Sequence, residues 1–257
     1  MAERTPSQFL SMNEKPWRRS FWSLIVTQFQ GAFSDNTLQY LIIFLVVGMG
    51  LPKEQRDLFV ALVGALFALP FILFSMTGGY FADRFSKRSV MIGVKYFEIV
   101  VMLIATLGLL LRLLPLQLFA ILLMGIHSAI FGPAKYGILP EILPEKRLSW
   151  GNGVLELRTF LAIITGTITG AFLGDVFREN QLWSGVSLIG LALFGLFVCL
   201  GITRVPPADL SKTFRFNFLE EFFSQMRLIR RDRVLFLAVL GNTYFWFLGA
   251  LLRFNII

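Results

Sequence analysis

Gly79-Tyr80-Phe81-Ala82-Asp83-Arg84-Phe85-Ser86-Lys87-Arg88 is a short charged break between two long apolar runs, 57–82 and 88–111. A helix needs roughly 20 mostly apolar residues to cross a hydrocarbon core, and both runs exceed that. Two such runs joined so tightly read as helices crossing a membrane in opposite directions. Moving outward, comparable runs occupy 21–48, 116–139, 150–174 and 182–203. Another begins near 234 and is still running at Ile257. The expected fold is an all-α membrane protein: a six-helix bundle plus a seventh helix. The expected organisation is a tail (1–20), a bundle (21–203), a connection (204–233) and a seventh span (234–257).

Composition agrees with this. Of 257 residues, 56% are hydrophobic and 16% charged, and the mean hydropathy is +0.69. Soluble domains carry roughly 45–50% apolar and about 25% charged residues, so this chain is solvated mainly by lipid. Disorder, collagen-like repeats and coiled coil are excluded. The single cysteine, Cys199, rules out a disulfide scaffold. One His and one Cys leave no donor set for a zinc or iron–sulfur site, so neither metal nor cofactor is expected. The first run is not expected to be a cleavable leader, since Gln28, Gln30, Asp35 and Asn36 interrupt it.

The net charge of +8 is distributed by topology. Arg4, Lys15, Arg18 and Arg19 precede the first span; Arg84, Lys87 and Arg88 follow the second; Lys146 and Arg147 follow the fourth. Arg204, Lys212, Arg215, Arg227, Arg230, Arg231 and Arg233 follow the sixth. The opposite side holds only Lys53, Arg56, Arg112 and Arg178. The positive-inside rule then puts the N-terminus in the cytoplasm and makes nucleic acid an unneeded partner.

The connection opens with Val205-Pro206-Pro207, which is expected to stop the sixth helix. Within it Phe218, Leu219, Phe222, Phe223, Met226 and Ile229 recur at helical steps ahead of Arg227, Arg230 and Arg231. This fits an amphipathic helix on the inner leaflet, and equally a solvated helix packed on the bundle.

The Gly79–Arg88 segment resembles the G-x-x-x-D-R-x-x-[KR]-[KR] signature of the major facilitator superfamily, with Ser86 where that family most often has Gly. Gly79, Asp83, Arg84, Lys87 and Arg88 would then form a conformational latch. In it Gly79 would allow close helix approach, and Asp83 would pair with Arg84, Arg88 or a facing helix N-terminus. The resemblance implies a two-bundle transporter, of which this chain holds the first half and the start of the second bundle.

A narrower likeness is carried by Phe33-Ser34-Asp35-Asn36 and by Phe131-Gly132-Pro133-Ala134-Lys135-Tyr136-Gly137-Ile138-Leu139-Pro140-Glu141. With Gly151-Asn152-Gly153, Glu156 and Trp246 to Phe254, these segments are similar to the bacterial lysophospholipid transporter family. That family implies movement of lysophospholipid across the bacterial inner membrane for re-acylation. It also implies membrane lipids, a second six-helix bundle and a fused or associated acyltransferase as partners.

Charges within spans normally face a bundle interior. At about 1.5 Å rise per residue, Asp35 lies roughly 21 Å and Arg253 roughly 28 Å from the cytoplasmic ends of their helices. By resemblance to the superfamily these two helices face each other, so Asp35 and Arg253 could bridge the bundles or hold a zwitterionic headgroup. Asn36, Gln39, Lys135 and Glu156 complete the expected substrate-binding set. Gln28, Gly31 and Gln39 share a helical stripe with Asp35 and read as a cavity wall. The alternative for Asp35 is a buried carboxylate satisfied by Asn36 and nearby Gln side chains. Lys95 and Glu98 are expected to pair at i, i+3, with Lys95 and Arg158 structural or snorkelling. His127 is expected to bond a carbonyl, a proton relay being the alternative. Gly166, Gly170 and Gly174 read as a helix-packing ridge.

No phosphate loop, nucleophile elbow or paired catalytic His and acid is present, so an enzyme is not expected. Rival readings are a carrier of another organic or amphipathic substrate and a membrane anchor that docks an acyltransferase.

Overall fold

The computed structural model describes residues 15–213 and 226–256. Arg4, Arg215, Phe218, Leu219, Phe222 and Phe223, on which parts of the tail and amphipathic-helix readings rest, lie outside the described residues. The helices are α1 (Lys15–Gly48), α2 (Lys53–Arg84), α3 (Lys87–Leu110), α4 (Leu114–Ile142), α5 (Leu148–Val176), α6 (Leu182–Cys199) and α7 (Arg233–Ile256). The first six are long and apolar enough to cross a membrane. A short helical stretch covers 226–231. The chain divides into two compact units, Met1–Lys212 with α1–α6, and Thr213–Ile257 with α7.

Most helices outrun the apolar stretches that announce them, because the backbone continues until a break in its own geometry. α2 ends where Phe85 turns extended, and α4 runs through Pro133 and Pro140 before Leu143 turns extended. α6 falls short of its run. It stops at Cys199, where the amides of Leu200, Gly201 and Ile202 turn back to the carbonyls of Leu196, Val198 and Cys199. The expected stop at Pro206-Pro207 is therefore too late; the helix is already closed when the prolines arrive.

Within the first unit, α1 packs most extensively on α5 and α2 on α4, while α3 lies between α4 and α6. Taking α1–α3 and α4–α6 as two three-helix repeats, the α1–α5 and α4–α2 contacts exchange with each other. Both are parallel pairs sealed at glycine. A Cβ on Gly166 would sit 2.6 Å from the Phe33 carbonyl oxygen, and one on Gly78 would sit 2.8 Å from that of Ala129. Gly170 lies as closely against Thr37, so the expected packing ridge on α5 is real and its partner is α1.

Two apolar clusters fill the bundle. One joins Phe21 and Leu24 to Ile138, Leu155 and Cys199; the other joins Leu38 and Ile42 to Met102, Ile121 and Leu188. Gln30, Lys95, Glu98 and His127 are buried at the level between these clusters. The core is thus a polar layer held between two apolar ones.

Candidate functional site

α1, α3 and α4 meet at that polar layer. Lys95 Nζ donates to Glu98 Oε2 and to Gln30 Oε1, both at 2.6 Å, and faces the Phe131 ring at 5.4 Å. Gln30 Nε2 donates to Glu98 Oε1 and to Ser34 Oγ, both at 2.8 Å. Each hydrogen on these nitrogens has a destination, as a buried charge pair requires. Gly31 and Gly195 make the room: a Cβ on Gly31 would lie 3.2 Å from Lys95 Nζ, and Gly195 of α6 lies flush against the Gln30 amide.

The layer continues towards Asp35. His127 stacks on Phe131, with its Nε2 3.4 Å from Glu98 Oε2 and its Nδ1 3.2 Å from Ser128 Oγ. Ser128 Oγ donates to Asp35 Oδ2 at 2.7 Å. A run of polar contacts therefore leads from Lys95 through Glu98, His127 and Ser128 to Asp35. Asp35 Oδ1 is buried and has no hydrogen-bond partner among the described residues.

Several expectations change here. Lys95 does not snorkel; its side chain is 0% exposed and wholly committed to the layer. His127 meets a carboxylate and a hydroxyl, where a backbone carbonyl was expected. Asp35 is not satisfied by its neighbours on α1: the Asn36 amide turns back to the Ala32 carbonyl, and the Gln39 amide reaches the Asp35 backbone carbonyl. Nor does the Gln28, Gly31 and Gln39 stripe form an open wall. Gln28 and Gln39 are buried, and Gln28 Nε2 donates to Thr159 of α5 at 3.2 Å. Gln30, Ser34 and Ser128 were missed as members. The only signal for them was polarity inside an apolar run.

A second group stands at the α4–α5 contact. Tyr136 Oη donates to Glu156 Oε1 at 2.8 Å, and Lys135 Nζ lies 4.7 Å from the Tyr136 ring centre. The Lys135 ammonium is within electrostatic reach of both Glu156 and Asp35. Arg158 lies over the Trp22 ring at 5.8 Å, in keeping with a structural role. Arg253 falls on α7, and its side chain lies outside the described residues.

The α2–α3 connection is arranged differently from the expected latch. Asp83 Oδ2 receives Lys212 Nζ at 2.7 Å, in place of Arg84 or Arg88. The Asp83 backbone carbonyl accepts the amides of Ala208 and Asp209 at 3.1 and 3.0 Å. The segment after α6 is thereby folded onto the end of α2, which carries the first unit on to Lys212. Asp209 is itself turned by Ser211, whose amide and hydroxyl both donate to its carboxylate. Those bonds hold the Asp209 carboxyl below its ordinary range. Lys87 is buried and crosses Gly137 to reach Glu141 on α4 at 2.5 Å. Arg88 donates to the Leu200 carbonyl at 3.0 Å. Close approach of α2 to α4 falls at Gly78, whereas a Cβ on Gly79 would meet open space.

A family model described as Major Facilitator Superfamily matches residues 24–256. The lysophospholipid transporter LplT of Photorhabdus laumondii is 30% identical over 240 residues, covering 93% of this chain and 57% of its own. The protein of the same name from Salmonella typhimurium is 30% identical over 257 residues, covering 98% and 60%. The chain thus spans under two thirds of the length of these relatives. Among solved structures, the peptide transporter POT in complex with sulfate aligns with a TM-score of 0.60 at 14% identity, over 87% of this chain and 46% of that one. A POT family transporter in complex with a thioalcohol conjugated peptide aligns at 0.58 and 18%, over 88% and 47%. At these identities the solved structures speak for the fold alone.

Proposed function

Because this chain belongs to the major facilitator superfamily, and is therefore a multi-pass membrane protein, we propose that it is the N-terminal part of a lysophospholipid transporter. The reading rests on one observation above the others. Asp35 offers a buried carboxylate oxygen without a partner among the described residues, at the end of a polar run that three helices hold in place. An ammonium headgroup is the complement of that oxygen, and Lys135, within electrostatic reach, is the complement of a phosphate. The names of the relatives support the same cargo.

In this reading the chain acts by alternating access together with a second six-helix bundle, and it carries out transport and not catalysis. Asn36, Gln39, Glu156 and Arg253 complete the substrate path. The N-terminus is cytoplasmic and the membrane is the bacterial inner membrane, with re-acylation by a fused or associated acyltransferase on the cytoplasmic side. Gly79, Asp83, Arg84, Lys87 and Arg88 form the latch. The Lys212–Asp83 pair holds Asp83 in one conformation and gives it up to the second bundle in the other.

The test uses the full-length protein carrying this chain, reconstituted in proteoliposomes. Transbilayer movement of labelled lysophosphatidylethanolamine is followed beside intact diacyl lipid, for wild type and Asp35→Asn. Lysolipid movement above empty liposomes, lost in the variant, is the expected result. No movement in the wild type would overturn the lipid cargo. Movement retained in Asp35→Asn would keep the cargo and remove Asp35 from its path.

A further inference from the structure

At the end of the bundle away from Asp83, the last turns of α1, α3 and α5 and the first turns of α4 and α6 line an open-sided cavity of about 330 Å³. Its lining includes Arg112, Gln117, Asp175, Arg178 and Gln181. Pockets that take small organic groups begin near this size, roughly 300 Å³. Two of the lining side chains are buried with polar atoms unsatisfied. Gln117, 3% exposed, donates through Nε2 to the Gly108 carbonyl, but its Oε1 has no partner among the described residues. Gln181, 9% exposed, has a partner for neither Oε1 nor Nε2 among the described residues. Buried amides in native proteins are normally paired, so these point to a ligand.

The backbone adds a second argument. Leu113 N donates to the Gly108 carbonyl and Arg112 N to that of Leu109, which closes α3 in a Schellman turn. Arg112 occupies the left-handed position of that turn at φ 53, where Gly is the usual residue. The fold keeps a guanidinium at this position in spite of the strain.

The unsatisfied atoms define what would fit. Gln181 Nε2 calls for an acceptor, the Arg112 guanidinium on the same lining favours one with negative charge, and the two amide oxygens call for a donor. Arg178 already gives one N–H to the Gly48 carbonyl at 3.1 Å and adds positive charge, and Asp175 offers the one carboxylate on the lining. We propose that this cavity binds the glycerophosphate headgroup of a single-chain phospholipid, with phosphate on Arg112 and Gln181 and the free glycerol hydroxyl on the glutamine oxygens. A diacyl lipid has esterified that hydroxyl. Asp175 faces the ammonium when the headgroup is ethanolamine. The inference rests on the lysophospholipid reading above and gives the protein a headgroup site at the far end of the bundle from the Asp83 connection.

The test measures equilibrium binding to the full-length protein in nanodiscs, in an Asp35→Asn background that silences the mid-membrane site. Lysophosphatidylcholine carries both phosphate and glycerol hydroxyl, whereas hexadecylphosphocholine carries phosphate alone. The first should bind about tenfold tighter, the size of one good hydrogen bond. Gln181→Leu should narrow that gap, because only Gln117 Oε1 then remains for the hydroxyl, and Arg112→Gly should weaken both probes at least tenfold. Neither variant should lower the melting temperature, because Gln181 gives up no internal bond and Gly suits the left-handed turn. Affinities within twofold of the parent in both variants would overturn the site. So would a fall in melting temperature in both, which would make these groups structural props. Inorganic phosphate binding as tightly as the lysolipid would assign the cavity to a free anion and overturn the lipid assignment. Binding without transport would remove the transport reading and leave this site standing; transport with unaltered binding in both variants would do the reverse.

Discussion

Lys95 and Glu98 stand one turn apart on α3 with their charged groups 2.6 Å from each other, and neither side chain is exposed at all. An ion pair so far from water is held by its surroundings as much as by its own attraction, since desolvating both charges costs several kcal/mol each. Lys95→Met leaves Glu98 as an uncompensated buried charge and should cost about 3–5 kcal/mol. Glu98→Gln should cost a similar amount for the opposite charge. The double variant Lys95→Met/Glu98→Met should melt above either single one, because it removes both charges. Thermal melting in detergent checks the order; a double variant less stable than both singles would contradict it.

Adjacent glycines on α2 should respond in opposite directions. Gly78→Ala drives a methyl into the α4 backbone at Ala129 and Ile130 and should destabilise by about 1–3 kcal/mol. Gly79→Ala meets open space and should gain up to about 1 kcal/mol of helix propensity. The same melting assay compares them. Equal losses at both positions would mean that Gly79 makes a close contact in another conformation.

The Asp83–Lys212 pair is partly exposed, at 41% and 33% of the respective side chains. Its coupling energy in an Asp83→Asn/Lys212→Met cycle should be modest, about 0.2–1 kcal/mol. It should shrink in 1 M salt, where screening acts within about 3 Å. A coupling of several kcal/mol would show that the pair is a structural clamp, too strong to exchange partners.

Asp209 gives that segment a pH response. Its folded carboxyl is held down by Ser211, so the turn's contribution is present at neutral pH. It is lost on acidification, beginning near the ordinary carboxylate value of about 4 and complete below the lower folded value. The Asp209 carboxyl shift in an NMR titration should move upward in Ser211→Ala. An unchanged midpoint would remove Ser211 as the cause.

The spans were legible because lipid imposes a long, nearly uninterrupted apolar run, and the ends of α2 and α4 differ from those runs by only a few residues. The end of α6 was harder, since a helix can close through its own carbonyls at Gly201 well before a proline forbids it. The ridge Gly166–Gly170 is visible as spacing, though nothing in the spacing names α1 as its partner. The polar layer shows the same limit more sharply. Lys95 with Glu98 follows from i, i+3 geometry, whereas Gln30 with Glu98 joins residues 68 apart, and their meeting depends on how α1 and α3 are rotated about their axes. Asp83 with Lys212, 129 residues apart, depends on a loop whose path no periodicity encodes.

The exchange of partners between the two three-helix repeats has a consequence for how the protein is made. Gln28, Gln30, Asn36 and Gln39 leave α1 a poor resident of lipid on its own, and each is buried in the finished bundle. Lys95 and Glu98 come with α3, Ser128 with α4, and Thr159 with the glycine ridge only with α5. During synthesis α1 is thus sealed only after α5 has entered the membrane. The insertion machinery, or a transient neighbour, has to shelter α1 for the time it takes to translate the intervening hundred or so residues.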